Sequence, residues 1–428
     1  MGEYCFKGHI KLGKDVSFSV EDGVARFSVR AKDLLPFDGH HVLLNGLTDS
    51  GKGIYLLIER FYECQLAYAV HEDKEAIRLP RIEGVVEACA VLDSGSLEDV
   101  DSIGFYSFEI PKITNMQISG AFNDDNSFGL DIEKKLGNFQ MGGREYSVSV
   151  GFVEKRPFYS GQMLILSTEG KLSFGEIRES YWLIKKAMSF VYQKRLFPLE
   201  EIYLKSGSCN FGKLYVEKPQ PKGFFRFQVK RLPAFCWGER TSNLLQALAD
   251  DKIYLRHIPV FKDDEQLVTP GRFLMGLVGL ESTLDITDVH VVHKDKKARA
   301  LEAAISKVTA LRDCSSGDEK EIYKRILKNL EKDEKFAGRI RMSIEENIDY
   351  ISNFFPLGLL GKNLAEVSEN LAEVRNLLAH GSLNEDISSK GSYQMQFLML
   401  YILYLQLEMI GFTKKEASEI VPGILFAH

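Results

Sequence analysis

The pattern of hydrophobic and polar residues changes character once along the chain, near residue 259. Before that point, short runs alternate with a period of two, which is typical of strands with one buried face. Asp15–Val29 is the clearest case, since two alternating runs flank the turn residues Glu21–Gly23 and predict a β-hairpin. One helical pattern interrupts the strands, over Gly175–Leu196.

Short strands separated by Gly, Asp and Asn are typical of an antiparallel sandwich or barrel. The same alternation predicts nine more strands, at His41–Leu47, Gly53–Phe61, Glu83–Val91, Ile103–Ile110, Tyr146–Val153, Gln162–Leu166, Glu201–Leu204, Gly212–Val216 and Phe224–Val229. We therefore expect residues 1–258 to form a β-rich domain.

Helical periodicity follows a linker at residues 259–271, which contains Pro and Asp. Apolar residues at steps of three and four predict a first helix ending before Thr287, then helices near Ala298–Leu311, Glu319–Leu330, Ile340–Ile351 and Lys414–Ile420. Tyr393–Ile410 is apolar nearly all round, so we expect it to be buried in a bundle. The fold class is α+β, with residues 272–428 forming an all-α helical bundle.

The helix most relevant to function is Asn363–Gly381. Its apolar stripe consists of Leu364, Val367, Leu371, Val374 and Leu378. Asn363 is a typical N-cap residue, and Gly381 is the type of residue that ends a helix in the left-handed conformation.

Arg375, Asn376 and His380 lie near the end of this helix. Histidine exchanges protons near neutral pH, and arginine grips a phosphate through two parallel hydrogen bonds. These residues therefore suit attack by an RNA 2′-hydroxyl on the adjacent phosphate, with Asn376 orienting the groups and with no metal or cofactor required. Five residues turn Arg375 about 140° away from His380 on a regular helix, so two copies facing each other in a homodimer fit the chemistry better than one.

In the segment RNLLAHG, Asn directly follows Arg and Gly directly follows His. This segment resembles the active-site signature of the HEPN superfamily of helical-bundle ribonucleases, which is an Arg, four to six residues, and a His. The whole layout resembles the ApeA family of bacterial anti-phage proteins, in which the opening helix of the bundle commonly has a Leu-Glu pair. Leu280 and Glu281 occupy that place here.

The resemblance implies an abortive-infection endoribonuclease that cuts RNA, with tRNA the leading substrate class. It also implies an N-terminal domain that restrains or triggers the bundle, with a phage protein as the possible trigger. Glu281 would be a polar partner in the site. Arg339 and Arg341, at the start of the preceding helix, are possible RNA contacts.

Two other hypotheses about the function remain open. The first is a non-catalytic helical dimer that recognises a phage or host partner, with a structural Arg and His. The second is a nucleotide-dependent regulator, because Gly46–Lys52 has the spacing of a phosphate-binding loop. Gly53 replaces the required Ser or Thr and a strand pattern follows, so we expect a hairpin loop there.

Charge and cysteine usage limit the partners and the compartment. The net charge is −6, so any contact with nucleic acid must come from local basic patches. The six cysteines lack metal-ligand or disulfide-framework spacing, and no window has the roughly 18 apolar residues of a membrane span. We expect a cytoplasmic protein with reduced thiols.

Overall fold

The computed structural model divides the chain into two compact units. The first comprises Met1–Lys185, Pro198–Gln228 and Ala234–Ser242, and the second comprises Lys186–Phe197, Val229–Pro233 and Asn243–His428. The structure describes residues 5–11, 15–21, 23–28, 41–68, 77–106, 134–156, 159–193, 199, 201–207, 209–216, 232, 238, 240–259, 268–286, 299–330, 336–361, 363–380 and 389–425.

The first unit is built on antiparallel strands, as the period-two pattern predicts. The described strands are β1 (Cys5–Lys11), β2 (Asp15–Glu21), β3 (Val24–Phe27), β4 (Val42–Thr48), β5 (Gly53–Tyr68), β6 (Ile77–Leu92), β7 (Ser102–Tyr106), β8 (Lys134–Met141), β9 (Arg144–Arg156), β10 (Tyr159–Thr168), β11 (Glu201–Ser206) and β12 (Cys209–Tyr215). Their order in the sheet is β3-β2-β1-β4-β5-β6-β12-β11-β7-β10-β9-β8.

An additional pairing between β3 and β6 closes the first six strands into a barrel. Phe27 pairs with Ile82 in this closure, and both side chains belong to the apolar barrel core. Farther along β6, Cys89 pairs with Tyr215 of β12, so the same long strand leads out of the barrel into the rest of the sheet. The register of β5 against β6 shifts on both sides of Ile58, and such irregularities bend a strand.

The segment Gly46–Lys52 forms the end of β4, a tight turn and the approach to β5, which confirms the predicted hairpin loop. The N–H of Thr48 donates to the carbonyl oxygen of Lys52 over 2.8 Å. Gly46 is required for packing, because a Cβ there would lie 2.2 Å from the carbonyl oxygen of His9 on β1. Gly51 has a φ of +80°, which the turn needs and glycine adopts at little cost.

The described helices are α1 (Phe174–Tyr192), α2 (Arg240–Ala249), α3 (Pro270–Ile286), α4 (Arg299–Cys314), α5 (Gly317–Leu330), α6 (Phe336–Ile351), α7 (Leu364–Ala379), α8 (Ser389–Met409), α9 (Lys414–Ile420) and α10 (Pro422–Leu425). In the second unit, α3 packs on α7 and α8, and α6 packs on α7 and α9. Along α8, residues such as Phe397, Tyr401 and Tyr404 are fully buried, which confirms the expected buried helix.

Four of these elements were not predicted: β1, β8, α2 and α10. Helix α3 begins at Pro270, inside the stretch predicted as linker. The predicted strand Phe224–Val229 lies outside the described residues. Within the part of the chain that the structure describes, no helix is long and apolar enough to cross a lipid bilayer.

Candidate active site

Helix α7 has the predicted cap and the predicted buried stripe. Oδ1 of Asn363 accepts a hydrogen bond from the N–H of Glu366 over 2.9 Å, which satisfies one of the free amides of the first turn. Val367, Leu371 and Leu378 are buried, whereas the other two members of the stripe, Leu364 and Val374, are half-buried. Gly381, the predicted end residue, lies outside the described residues.

The burial of this stripe orients Arg375 toward α3. Nη2 of Arg375 donates to Oε2 of Glu281 over 2.9 Å, and Nη1 donates to Oδ1 of Asn376 over 3.2 Å. The sequence places Glu281 and Arg375 94 residues apart, and packing of α7 on α3 brings them together. Glu281, expected to be a polar partner in the site, therefore contacts the motif arginine directly.

Arg339 of α6 joins the same group. Its Nη2 lies 3.7 Å from Oε1 of Glu281, and its Nη1 forms an ion pair with Oδ1 of Asp285. We call Glu281, Asp285, Arg339 and Arg375 the acid–arginine cluster. Two carboxylates and two guanidiniums balance each other in it, so the cluster holds no net charge at neutral pH.

Arg375 keeps donors for a further ligand. A guanidinium has five N–H donors, and the contacts with Glu281 and Asn376 use two of them. About a third of the Arg375 side chain, 34%, is exposed. Its buried Nε has no acceptor among the described residues. A phosphate could therefore bind the exposed edge of the guanidinium while Glu281 holds the other edge.

His380 occupies the C-cap position of α7 and is exposed. Its backbone N–H donates to the carbonyl oxygen of Asn376 over 3.1 Å, which fixes the chain at the helix end. In the described portion of the chain, no hydrogen bond or ion pair joins the side chains of Arg375 and His380. This separation matches the rotation of about 140° that five helical residues impose.

The two arginines predicted to contact RNA have different surroundings. Arg339 is engaged by Glu281 and Asp285, as described above. Arg341 lies two residues farther along α6, which turns it roughly 200° to another side of the helix. Its Nε lies 3.8 Å from Oε1 of Glu345 on the same helix. Of these two arginines, Arg339 is therefore the one that shares a carboxylate, Glu281, with Arg375.

Asp285 was not predicted as part of the site. Its signal in the sequence is the spacing of four from Glu281, which puts both carboxylates on one face of α3. That spacing is common on solvated helices, so it indicates nothing until the partner arginine on another helix is known.

The chain was compared with protein-family models, with curated proteins and with solved structures, and none of them matches it. The described residues also contain no group of three or more His, Cys, Asp or Glu side chains that could hold a metal ion.

Proposed function

We propose that this protein is an endoribonuclease of anti-phage defence that cleaves RNA without a metal ion. The observation that supports this best is the position of Arg375, which Glu281 holds at 2.9 Å while a third of its side chain stays exposed, on the helix that ends at the exposed His380. The RNA substrate, with tRNA first among candidates, the cytoplasmic setting and a phage-protein trigger rest on the family resemblance alone.

The proposed reaction is an internal phosphoryl transfer. The RNA 2′-oxygen forms a bond to the adjacent phosphorus while the bond from phosphorus to the 5′-oxygen breaks. His380 accepts the 2′-hydroxyl proton while water protonates the leaving 5′-oxygen, or it donates a proton to that oxygen while water accepts the 2′-hydroxyl proton. Arg375 stabilises the charge on the phosphorane, and Asn376 orients the reacting groups. The products are a 2′,3′-cyclic phosphate and a 5′-hydroxyl.

The orientation of the two groups supports a dimeric site. On a regular helix, five residues turn His380 about 140° away from Arg375, so we do not expect one copy to aim both at the same phosphate. We propose that a homodimer formed through the helical bundle pairs Arg375 of one copy with His380 of the other. A mixture of Arg375→Ala and His380→Ala chains would then restore activity that neither variant has alone.

A non-catalytic binding module is the second candidate, and the charge balance of the acid–arginine cluster favours it. Glu281 and Asp285 neutralise Arg339 and Arg375, so the cluster attracts a phosphate less than two unpaired arginines would. In that case the cluster is a structural connection among α3, α6 and α7, and the protein recognises a phage or host partner.

The test is to express wild type and His380→Ala in bacteria, with and without phage, and to sequence RNA ends that carry a 5′-hydroxyl. New ends that depend on His380 support the nuclease. Asn363→Ala is the matched control, because it weakens the cap of the same helix by about 1 kcal/mol without touching the site, and should still cut. Identical RNA profiles for wild type and His380→Ala under every trigger would favour the binding module.

A further inference from the structure

The first unit contains a cavity of about 390 Å³ whose lining residues the proposed nuclease chemistry does not use. It lies at the ends of three neighbouring strands, where β7 begins and β10 and β11 end. Its polar lining includes Asp101, Ser102, Ser167, Thr168, Lys171 and Lys205. Cavities of roughly 300–1,000 Å³ are typical of sites for small molecules.

The strand register explains why three of these residues share the cavity. Ser102 of β7 pairs with Ser167 of β10 on one side and with Lys205 of β11 on the other. Residues directly opposite each other on antiparallel strands project from the same face of the sheet. Lys205, Ser102 and Ser167 therefore form one cross-strand row, which we call the cavity row.

The neighbouring row on that face is mostly apolar. Two residues farther along each strand, Gly104 pairs with Tyr203 and Ile165, and the latter two belong to a buried cluster. Gly104 has no side chain, and a Cβ there would lie 3.7 Å from Cδ of Lys205. The lysine stem thus packs beside the glycine, and only 6% of the residue is exposed.

The charges of the lining favour an anion. The carboxylate of Asp101 already accepts hydrogen bonds from the N–H of Gly207 over 3.0 Å and from the hydroxyl of Ser102 over 2.9 Å, and lies 3.6 Å from Nζ of Lys171. Two lysines against one carboxylate leave an excess of one positive charge. Each ammonium has three donors, so it can keep a protein partner and still bind an anionic oxygen.

The hydroxyl groups of the lining can accept hydrogen bonds from a ligand. Ser102 donates to Asp101, and Thr168 donates to the carbonyl oxygen of Glu145 over 2.8 Å. Each hydroxyl has one proton, so these two oxygens are left to accept. The lining therefore offers cationic donors together with neutral acceptors, which suits a ligand with an anionic group and hydroxyl groups.

We propose that this cavity binds a small phosphorylated sugar, either free or as part of a nucleotide, with its phosphate on Lys171 and Lys205 and its hydroxyls on Ser102 and Thr168. Lysine binds phosphate as a compact charge, and the burial of Lys205 strengthens that attraction. The first unit would then bind a ligand of its own, whether or not the helical bundle is a nuclease.

The test is isothermal titration of the full chain with ribose 5-phosphate, adenosine 5′-monophosphate, inorganic phosphate and ribose. We expect a one-to-one complex with ribose 5-phosphate that Lys171→Ala weakens about tenfold, the size expected for one hydrogen bond to a charged group. Tighter binding of adenosine 5′-monophosphate than of ribose 5-phosphate supports a nucleotide, and equal binding supports the free sugar phosphate. Lys134→Ala removes an exposed lysine of the same unit and should bind like wild type.

Three results would overturn the proposal. One is an absence of heat with any phosphorylated probe, and another is inorganic phosphate binding as tightly as ribose 5-phosphate. The third is equal binding by wild type, Lys171→Ala and Lys205→Met, because the bound molecule would then lie elsewhere. Circular dichroism shows whether Lys205→Met folds. If Lys205→Met does not fold, Lys171→Ala still tests the proposal, because it changes a more exposed side chain.

Discussion

Nη2 of Arg375 lies 2.9 Å from Oε2 of Glu281, and this ion pair connects the end of α7 to α3. Arg375 belongs to the proposed catalytic motif, whereas Glu281 was expected only to assist it. Because Glu281 also lies 3.7 Å from Arg339, one carboxylate sets the positions of two guanidiniums. The position of the motif arginine thus depends on a residue in a different helix.

Glu281→Gln should lower RNA cleavage about tenfold, mainly in kcat, because the neutral amide holds Arg375 less firmly in its reactive position. The cost to folding should be about 1 kcal/mol or less, since both partners are partly exposed. Single-turnover cleavage of a fixed RNA and urea denaturation measure the two effects.

Asp285→Asn is the matched control for Glu281→Gln, because Asp285 contacts Arg339 and no described contact joins it to Arg375. It should leave kcat within about twofold of wild type. If both substitutions reduce cleavage equally, the cluster acts through overall charge and Glu281 is not a positioning residue. Glu281→Asp, which keeps the charge, should restore part of the loss.

His257 should make the protein less stable as the pH falls below neutrality. The residue is 1% exposed and its ring stacks on Tyr254, with 6.0 Å between ring centroids. Burial, with Arg272 nearby, lowers the pKa of His257 from 6.5 to about 3. Below pH 6.5, His257 therefore binds a proton in the unfolded chain but not in the folded chain. Stability falls as the pH drops from 6.5 toward 3.

At pH 5 this loss amounts to about 2 kcal/mol, from 1.36 kcal/mol for each pKa unit. His257→Phe keeps an aromatic ring beside Tyr254 and removes the titrating group, so its stability should change less between pH 7 and pH 5. Urea denaturation at the two pH values measures the difference. An unchanged pH dependence in His257→Phe would assign the acid sensitivity to other groups.

Glu408 should have the opposite effect on the pH dependence of stability. Burial raises the pKa of Glu408 above its ordinary 4.5, and the negative charge of Glu346 adds to the rise. The folded chain then holds this proton more tightly than the unfolded chain, so the stabilisation is complete below pH 4.5 and is lost as the pH rises through the raised pKa. Glu408→Gln should be more stable than wild type at pH 8 and similar to it near pH 4. Greater destabilisation of Glu408→Gln at pH 8 would refute this assignment.

Gly46→Ala should destabilise the barrel by about 3 kcal/mol, because the new Cβ would lie 2.2 Å from the carbonyl oxygen of His9, a backbone atom of β1 that cannot turn aside. Gly51→Ala should cost about 1 kcal/mol, since its Cβ meets no atom within 4 Å and only the positive φ opposes it. Thermal unfolding of the two variants measures the difference.

Lys52→Ala tests the hypothesis that the Gly46–Lys52 loop binds a nucleotide. The ion pair between Lys52 and Asp93 is exposed, so its removal should change stability by about 0.5 kcal/mol or less. We expect no ATP or GTP affinity in wild type for the substitution to remove. Nucleotide binding by the wild type that disappears in Lys52→Ala would instead support the hypothesis of a nucleotide-dependent regulator.

The sequence by itself determined most of the elements and their buried faces. Alternation predicted the β2–β3 hairpin and the β4–β5 loop, and steps of three and four predicted α7 with Val367, Leu371 and Leu378 buried. These features depend on neighbours within a few residues, because a strand or helix repeats its inward face every two or 3.6 positions. Strand β8 gave a weaker signal, since only Leu136 and Phe139 are buried along it.

Only the tertiary structure decided which distant residues meet. The closure of the barrel by β3 and β6, the contact of Arg375 with Glu281, and the alignment of Lys205 with Ser102 each join residues more than 50 positions apart. No local pattern encodes such a pairing, because its energy is about 1 kcal/mol per contact and many alternative partners offer as much. Packing of whole faces selects one arrangement, and the side chains of the site follow from it.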